Sequence, residues 1–174
     1  MAAARRRSSA PVMDAGSADE PPLDLATSVA YTNPVRDRIV FHVRGLPVPQ
    51  GSTRSWVVNG KPVITSSSKG LGTWRRLVAD VAQGHAPPEP WEGPVAITLD
   101  FGLPKPKSAP KRRRVWPAKR PDLDKLTRSV LDALTYVIFS DDCQVVEFHV
   151  RKEYGPPGVV VEVCRIDEPA SGRA

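Results

Sequence analysis

Apolar and polar residues first alternate regularly at residues 39–44, with Ile39, Phe41 and Val43 on one side and Val40, His42 and Arg44 on the other. That period of two predicts a strand ending at Gly45. Pro47, Pro49, Gly51 and Ser52 interrupt it, and Asn59-Gly60 predicts a tight turn between two short strands at 55–58 and 61–65. Thr73 is a candidate cap for a helix running to Gln83, where Trp74, Leu77, Val78 and Val81 recur at helical spacing and Gly84 supplies a stop. Val95, Ile97, Leu99 and Phe101 then alternate with Ala96, Thr98 and Asp100 as a second strand, in which Asp100 is expected to face solvent. The five prolines between residues 102 and 121 exclude both a helix and a central strand there.

From Leu123 the period becomes helical. Leu123, Leu126, Val130, Ala133, Leu134 and Val137 share one side of the wheel, and Lys125, Arg128, Asp132 and Thr135 the other. A helix of about 16 residues would be about 24 Å long. Ser140-Asp141-Asp142 turns the chain into a strand at 143–152, and the short connection 154–158 leads to a last strand at 159–166, expected to pair antiparallel with the one before it. The order strand, helix, strand, helix, strand, strand predicts an α+β fold with a small mixed or antiparallel sheet and two main helices packed on one face. Residues 1–37, rich in Ala, Ser, Pro, Asp and Arg without periodicity, are expected to form a disordered tail. The domain then spans 38–166, with a basic Pro-rich arm at 105–120 and a frayed end at 167–174.

Charge adds a partner to this picture. The 174-residue chain carries a formal net charge of +6. Residues 1–38 hold five Arg against five acids, so the whole excess belongs to the remainder. Residues 105–120 hold eight Lys or Arg and no acid. Such a loop is the footprint of a polyanion, with Lys111, Arg112, Arg113, Arg114, Lys119 and Arg120 as candidate DNA contacts. Trp116 either offers a stacking face to a base or tucks against the core. Cys143 and Cys164 form no C-x-x-C pair and read as small apolar residues of a reducing compartment. With no apolar run long enough to span a bilayer and no secretory signal pattern, the expected location is cytoplasmic, with no membrane partner. The three histidines lack zinc spacing, and neither a nucleophile triad nor a Gly-rich phosphate loop occurs, so no small-molecule cofactor is expected.

The carboxylates supply the chemistry. Asp122 and Asp124 stand at the helix mouth, and Asp141 and Asp142 just beyond its end. Oxygen donors in this number suit Mg²⁺, with Mn²⁺ as a substitute. Acids at a helix N-terminus also serve as caps, and Arg128 reads equally as a phosphate ligand or as an ion-pair partner of Asp124 or Asp132. At 24 Å the two acid pairs cannot meet along the helix. Either the following strand runs back alongside it, or one pair comes from a neighbouring subunit.

The run KRPDLDKLTRSVLDALTYVIFSDDCQVVEFHVRKEYG resembles the RusA family of Holliday-junction resolvases, through D-L-D-x-L, L-D-A-L, D-D-x-Q-V and the later Lys152 before Tyr154-Gly155. The resemblance implies a RusA-like fold and a Mg²⁺-dependent endonuclease of recombination and repair in a bacterial or phage-infected cell. It also implies a homodimer that binds a four-way DNA junction and nicks two strands symmetrically. The metal-binding acids of the family fall on Asp122, Asp124 and Asp142, with Asp141 adjacent. The family's basic residue six positions after the first Asp, usually Lys, falls on Arg128, and Lys125 stands where Asn is common. Lys152 is read as a further DNA contact. A non-catalytic junction-binding protein and a nuclease for flaps are the alternatives.

Overall fold

The computed structural model describes residues 35–51, 53–66, 68–110 and 112–167. The expected tail up to residue 34, the frayed end from 168 and Lys111 lie outside them. The described elements are β1 (Val35–Arg44), β2 (Thr53–Val58), β3 (Lys61–Ser66), α1 (Leu71–Gln83), β4 (Val95–Leu103), α2 (Leu123–Leu134), one 3-10 turn (Asp142–Gln144), β5 (Val145–Tyr154) and β6 (Gly158–Ile166). Four strands make a mixed sheet in the order β1-β6-β4-β5, while β2 and β3 pair as a separate hairpin across Asn59-Gly60. Asn59 and Gly60 both take positive φ, as the right-handed twist of a two-residue hairpin requires.

Both helices bury their apolar stripes against one face of the sheet. Trp74, Val78 and Ala82 of α1 and Leu126, Val130, Ala133 and Leu134 of α2 join Phe41, Val43, Ile97, Leu99, Phe101, Val159, Val161 and Val163 in a single core. Each fully buried large aliphatic or aromatic side chain stabilises the fold by about 1.5–3 kcal/mol. The architecture is the expected α+β arrangement. β4 lies between β5 and β6 and is buried on both faces, so its alternation is weaker in the structure than in the sequence. Asp100 is only half exposed, and its carboxylate receives the Arg151 guanidinium across the β4–β5 ladder at 2.5 Å. Cys164 is buried and Cys143 exposed, both as free thiols.

The boundaries differ where tertiary contacts outrank local signals. β1 begins at Val35, because β6 offers pairing partners out to Ile166, so residues 35–37 of the expected tail join the sheet. α1 starts at Leu71 behind Gly70, whose left-handed backbone (φ 83°) turns the chain and lets Leu71 enter the interior; Thr73 is not the cap. α2 stops at Leu134 instead of continuing toward Val137. Tyr136 takes φ 64°, and the next residues carry Ile138 and Phe139 into the core, where Trp91 N–H donates to Ile138 O at 2.8 Å. Twelve residues make α2 about 18 Å long.

The expected β5–β6 pair is replaced by a skip. β5 pairs in parallel with β4, and β4 separates it from β6. The connection at 155–157 crosses the end of β4, with Gly155 N–H donating to Leu103 O at 2.8 Å. Gly102 makes the crossing possible, because a Cβ there would run into the Pro156 carbonyl oxygen. Gly102→Ala should therefore destabilise the fold by about 1–3 kcal/mol, which lowers the melting temperature by roughly 2–12 °C. Gly155→Ala, which meets nothing within 4 Å, should leave it near the wild-type value in the same thermal denaturation series.

Candidate active site

The arm reaches α2 through a cis Arg120–Pro121 peptide, and Asp122 follows with an extended backbone, φ −73° and ψ 139°. Asp122 O accepts the Leu126 N–H at 3.1 Å and so closes the first helical turn. Its side chain occupies the capping position yet makes no capping hydrogen bond. The exposed carboxylate lies 3.4 Å from Lys125 Nζ. The Asp124 side chain, also exposed, has no hydrogen bond or ion pair among the described residues. Leu123, between them, packs on the core and so directs both acids outward. The positive end of the helix favours two negative charges here, and neither carboxylate is consumed by the helix itself.

Two tethers hold this mouth. Lys152 of β5 donates from Nζ to Pro121 O at 2.8 Å and to Lys119 O at 3.0 Å. On the other side, Gln50 N–H donates to Lys125 O at 2.9 Å, and the Gln50 side chain accepts from Arg75 of α1. Arg75 also pairs with Asp132, so α1, the loop after β1 and α2 are joined through one guanidinium. Asp132 is thereby occupied. Arg128 is exposed and forms an ion pair with neither Asp124 nor Asp132 among the described residues.

The second acid pair stands at the opposite end of α2. Asp141 caps the 3-10 turn: its Oδ1 accepts Cys143 N–H at 2.8 Å, while Gln144 Oε1 accepts Asp141 N–H at 2.7 Å. Gln144 in turn donates to Trp91 O and Gly93 O, which fixes the turn to the chain before β4. The Cys143 backbone N–H holds the Asp141 carboxyl below the usual carboxylate range, and the Asp141 carboxylate beside it raises the Cys143 thiol. Asp141 thus does structural work. Asp142 is exposed. β5 does run back along α2, but Asp142 stands at its start, so the residue returned to the mouth is Lys152. Among the described residues no three of Asp, Glu, His or Cys come within metal-binding reach. Within one chain the two acid pairs stand about 18 Å of helix apart.

The arm borders the mouth. Arg112, Arg113, Lys119 and Arg120 are exposed. Arg114 reaches Glu153 at 3.3 Å and lies 4.9 Å above the Trp116 ring. Trp116 is 62% exposed, which excludes the reading that tucks it into the core.

The family model Endodeoxyribonuclease RusA matches residues 45–164. The chain belongs to the RusA family. It is 35% identical over 127 residues to the uncharacterized protein YqaN of Bacillus subtilis (strain 168), across 68% of this chain and 89% of that protein. RusA-family membership indicates an endodeoxyribonuclease, a hydrolase of DNA phosphodiester bonds from a group that resolves junctions. No helix among the described residues is long and apolar enough to cross a membrane.

Within this RusA-family chain, Asp122 and Asp124 suit a hard divalent cation, since they are outward-facing oxygen donors that no cap consumes. Lys152, expected as a DNA contact, donates its ammonium to the Lys119 and Pro121 carbonyls. Gln50 and Arg75 went unnoticed in the sequence. Neither stands in a motif, and their contacts with α2 join positions far apart in the chain. The polar Gln50 among the breakers after β1 was the one available signal.

Proposed function

We propose that this RusA-family protein is a divalent-metal-dependent Holliday-junction resolvase of DNA recombination and repair, acting as a symmetric homodimer in the cytoplasm of a bacterial or phage-infected cell. The observation that carries the reading is the pair of uncapped, outward carboxylates at the α2 mouth, bordered by the basic arm. Asp122 and Asp124, with Asp142 from a second copy, would hold Mg²⁺ or Mn²⁺. Such a cation supplies Lewis-acid polarisation of the phosphate and a bound water of lowered pKa.

An open strand edge supports the second copy. β5 is an edge strand, with Val146 and Phe148 exposed on it at 61% and 45%. Open apolar edges invite pairing. Two copies aligned antiparallel along β5 would set the start of one strand, with Asp142, beside the end of the other, where Lys152 meets the α2 mouth. Two equivalent sites would result, as symmetric nicking of two strands needs.

The remaining roles belong to cations and one ring. Arg128, one turn beyond Asp124 and exposed, holds the scissile phosphate through a planar fork. Arg112, Arg113, Lys119 and Arg120 neutralise the flanking phosphates, and Trp116 stacks on a base freed at the branch point. Cleavage assays on a four-way junction, a flap and a linear duplex test the whole reading. Paired nicks in the junction with Mg²⁺ or Mn²⁺, and none in EDTA, are expected. Preferential cutting of the flap would move the substrate to other branched DNA, and binding without any nick would leave a junction-masking protein.

A further inference from the structure

We propose that Lys152 is a positioning residue of the cleavage site, setting how the chain enters α2 and thereby where Asp122 points, instead of contacting a DNA phosphate. The inference rests on the reading that Asp122 belongs to that site. In the β4–β5 register Lys152 faces Phe101, and the alternation places it with Phe148, Val150 and Tyr154 on the helix side of the sheet. The stem is half buried there. A cation whose ammonium is engaged by two main-chain carbonyls has less to offer a polyanion.

Its donors are directed inward. The ammonium has three N–H groups, and two of them serve Pro121 O at 2.8 Å and Lys119 O at 3.0 Å. Those carbonyls lie on either side of Arg120 and immediately precede Asp122. Among the described residues neither carbonyl receives a backbone N–H, so Lys152 ties the end of the arm to the sheet. The next fixed point is Lys125 O, held by Gln50 N–H at 2.9 Å. Asp122 therefore stands between two tethers. Loss of the first frees its backbone, while the second still holds the helix that carries Asp124.

The tether suits Lys in particular. A compact ammonium on a flexible stem can satisfy two carbonyls from a single point, whereas a guanidinium spreads its donors in a rigid plane. Outer partners that orient ligands typically change metal affinity or turnover about 10–100-fold when removed. A phosphate contact behaves differently: its loss weakens binding and lowers the salt slope by about 0.9.

The experiment compares wild type, Lys152→Met, Lys152→Arg and Asp122→Asn by steady-state cleavage of a four-way junction at varied DNA concentration, salt-dependent junction binding in EDTA, and Mn²⁺ binding to the DNA-free protein. Lys152→Met should lower kcat about 10–100-fold and weaken Mn²⁺ binding, with KM and the salt slope unchanged. Lys152→Arg, which keeps the charge, should retain much of the kcat defect and the wild-type salt slope. That second variant decides the question if Lys152→Met does not fold. A reduced salt slope with normal kcat at saturating DNA, or full recovery in Lys152→Arg, overturns the proposal. If Asp122→Asn cleaves normally, the site reading fails instead, so the two failures are distinct.

Discussion

Asp122→Asn should reduce four-way-junction cleavage by about 10²–10³-fold, the usual loss when a group that stabilises transition-state charge is removed. Junction binding in EDTA should persist, because Asn preserves the shape of the side chain and adds no repulsion to the DNA. The substitution leaves the helix intact for a visible reason: the Asp122 side chain makes no capping hydrogen bond, and it is the main-chain O of that residue that closes the first turn. Asp142→Asn should be equally inactive. The informative result is their mixture. If Asp122 and Asp142 from different subunits share a site, half of the randomly exchanged dimers are mixed, and each of those has one intact and one doubly damaged site. About a quarter of wild-type nicking should then return. If both acids serve a site within one chain, every site in the mixture is damaged and the mixture stays silent. A nicking gel on subunit-exchanged protein separates these outcomes, and a silent mixture would remove the shared-site dimer.

Neutralising Arg112 and Arg113 should give the second large effect. Both are exposed, without ion-pair partners among the described residues. Each phosphate contact contributes about 0.9 to the slope of log affinity against log salt, so the double Ala variant should lose about 1.8 from that slope and bind the junction roughly 30-fold more weakly near 0.15 M salt. Arg114 is different. Its guanidinium is shared between Glu153 and the Trp116 ring, so Arg114→Ala should change the slope less and disturb Trp116 more. Titrations of junction binding at several salt concentrations measure both. An unchanged slope in the Arg112/Arg113 variant would mean that the arm's charge does not touch DNA.

Much of the fold was legible because it rests on short-range periodicity. Ile39, Phe41 and Val43, the Val95–Phe101 alternation and the Leu126, Val130, Leu134 stripe each bury one face of one element, and that face is written at spacings of two or four residues. Asn59-Gly60 announced its hairpin because few residues accept positive φ twice in succession. Element ends and strand pairings are where the fold departs from the local pattern. Leu71, Ile138 and Phe139 were drawn into the core past the local signals, and β4 inserted itself between two strands joined by a short connection. Strand order depends on which faces meet across the whole sheet, which no local window contains.

The inventory of the site is written in residue types and their spacing: two acids at a helix mouth, two beyond its end, a basic arm leading in and a cation at Arg128. Residue type and spacing suffice for that, since charge and hydrogen-bonding capacity are properties of each side chain. Which of these groups are available depends on the folded chain. It turned the Asp141 carboxylate to a cap and left the Asp122 carboxylate free of one, joined Asp132 to Arg75, brought Lys152 to the carbonyls before Asp122, and kept Asp142 at the far end of α2. Availability depends on neighbours from distant parts of the chain, because a polar group inside or beside a core must find its partner wherever packing places one.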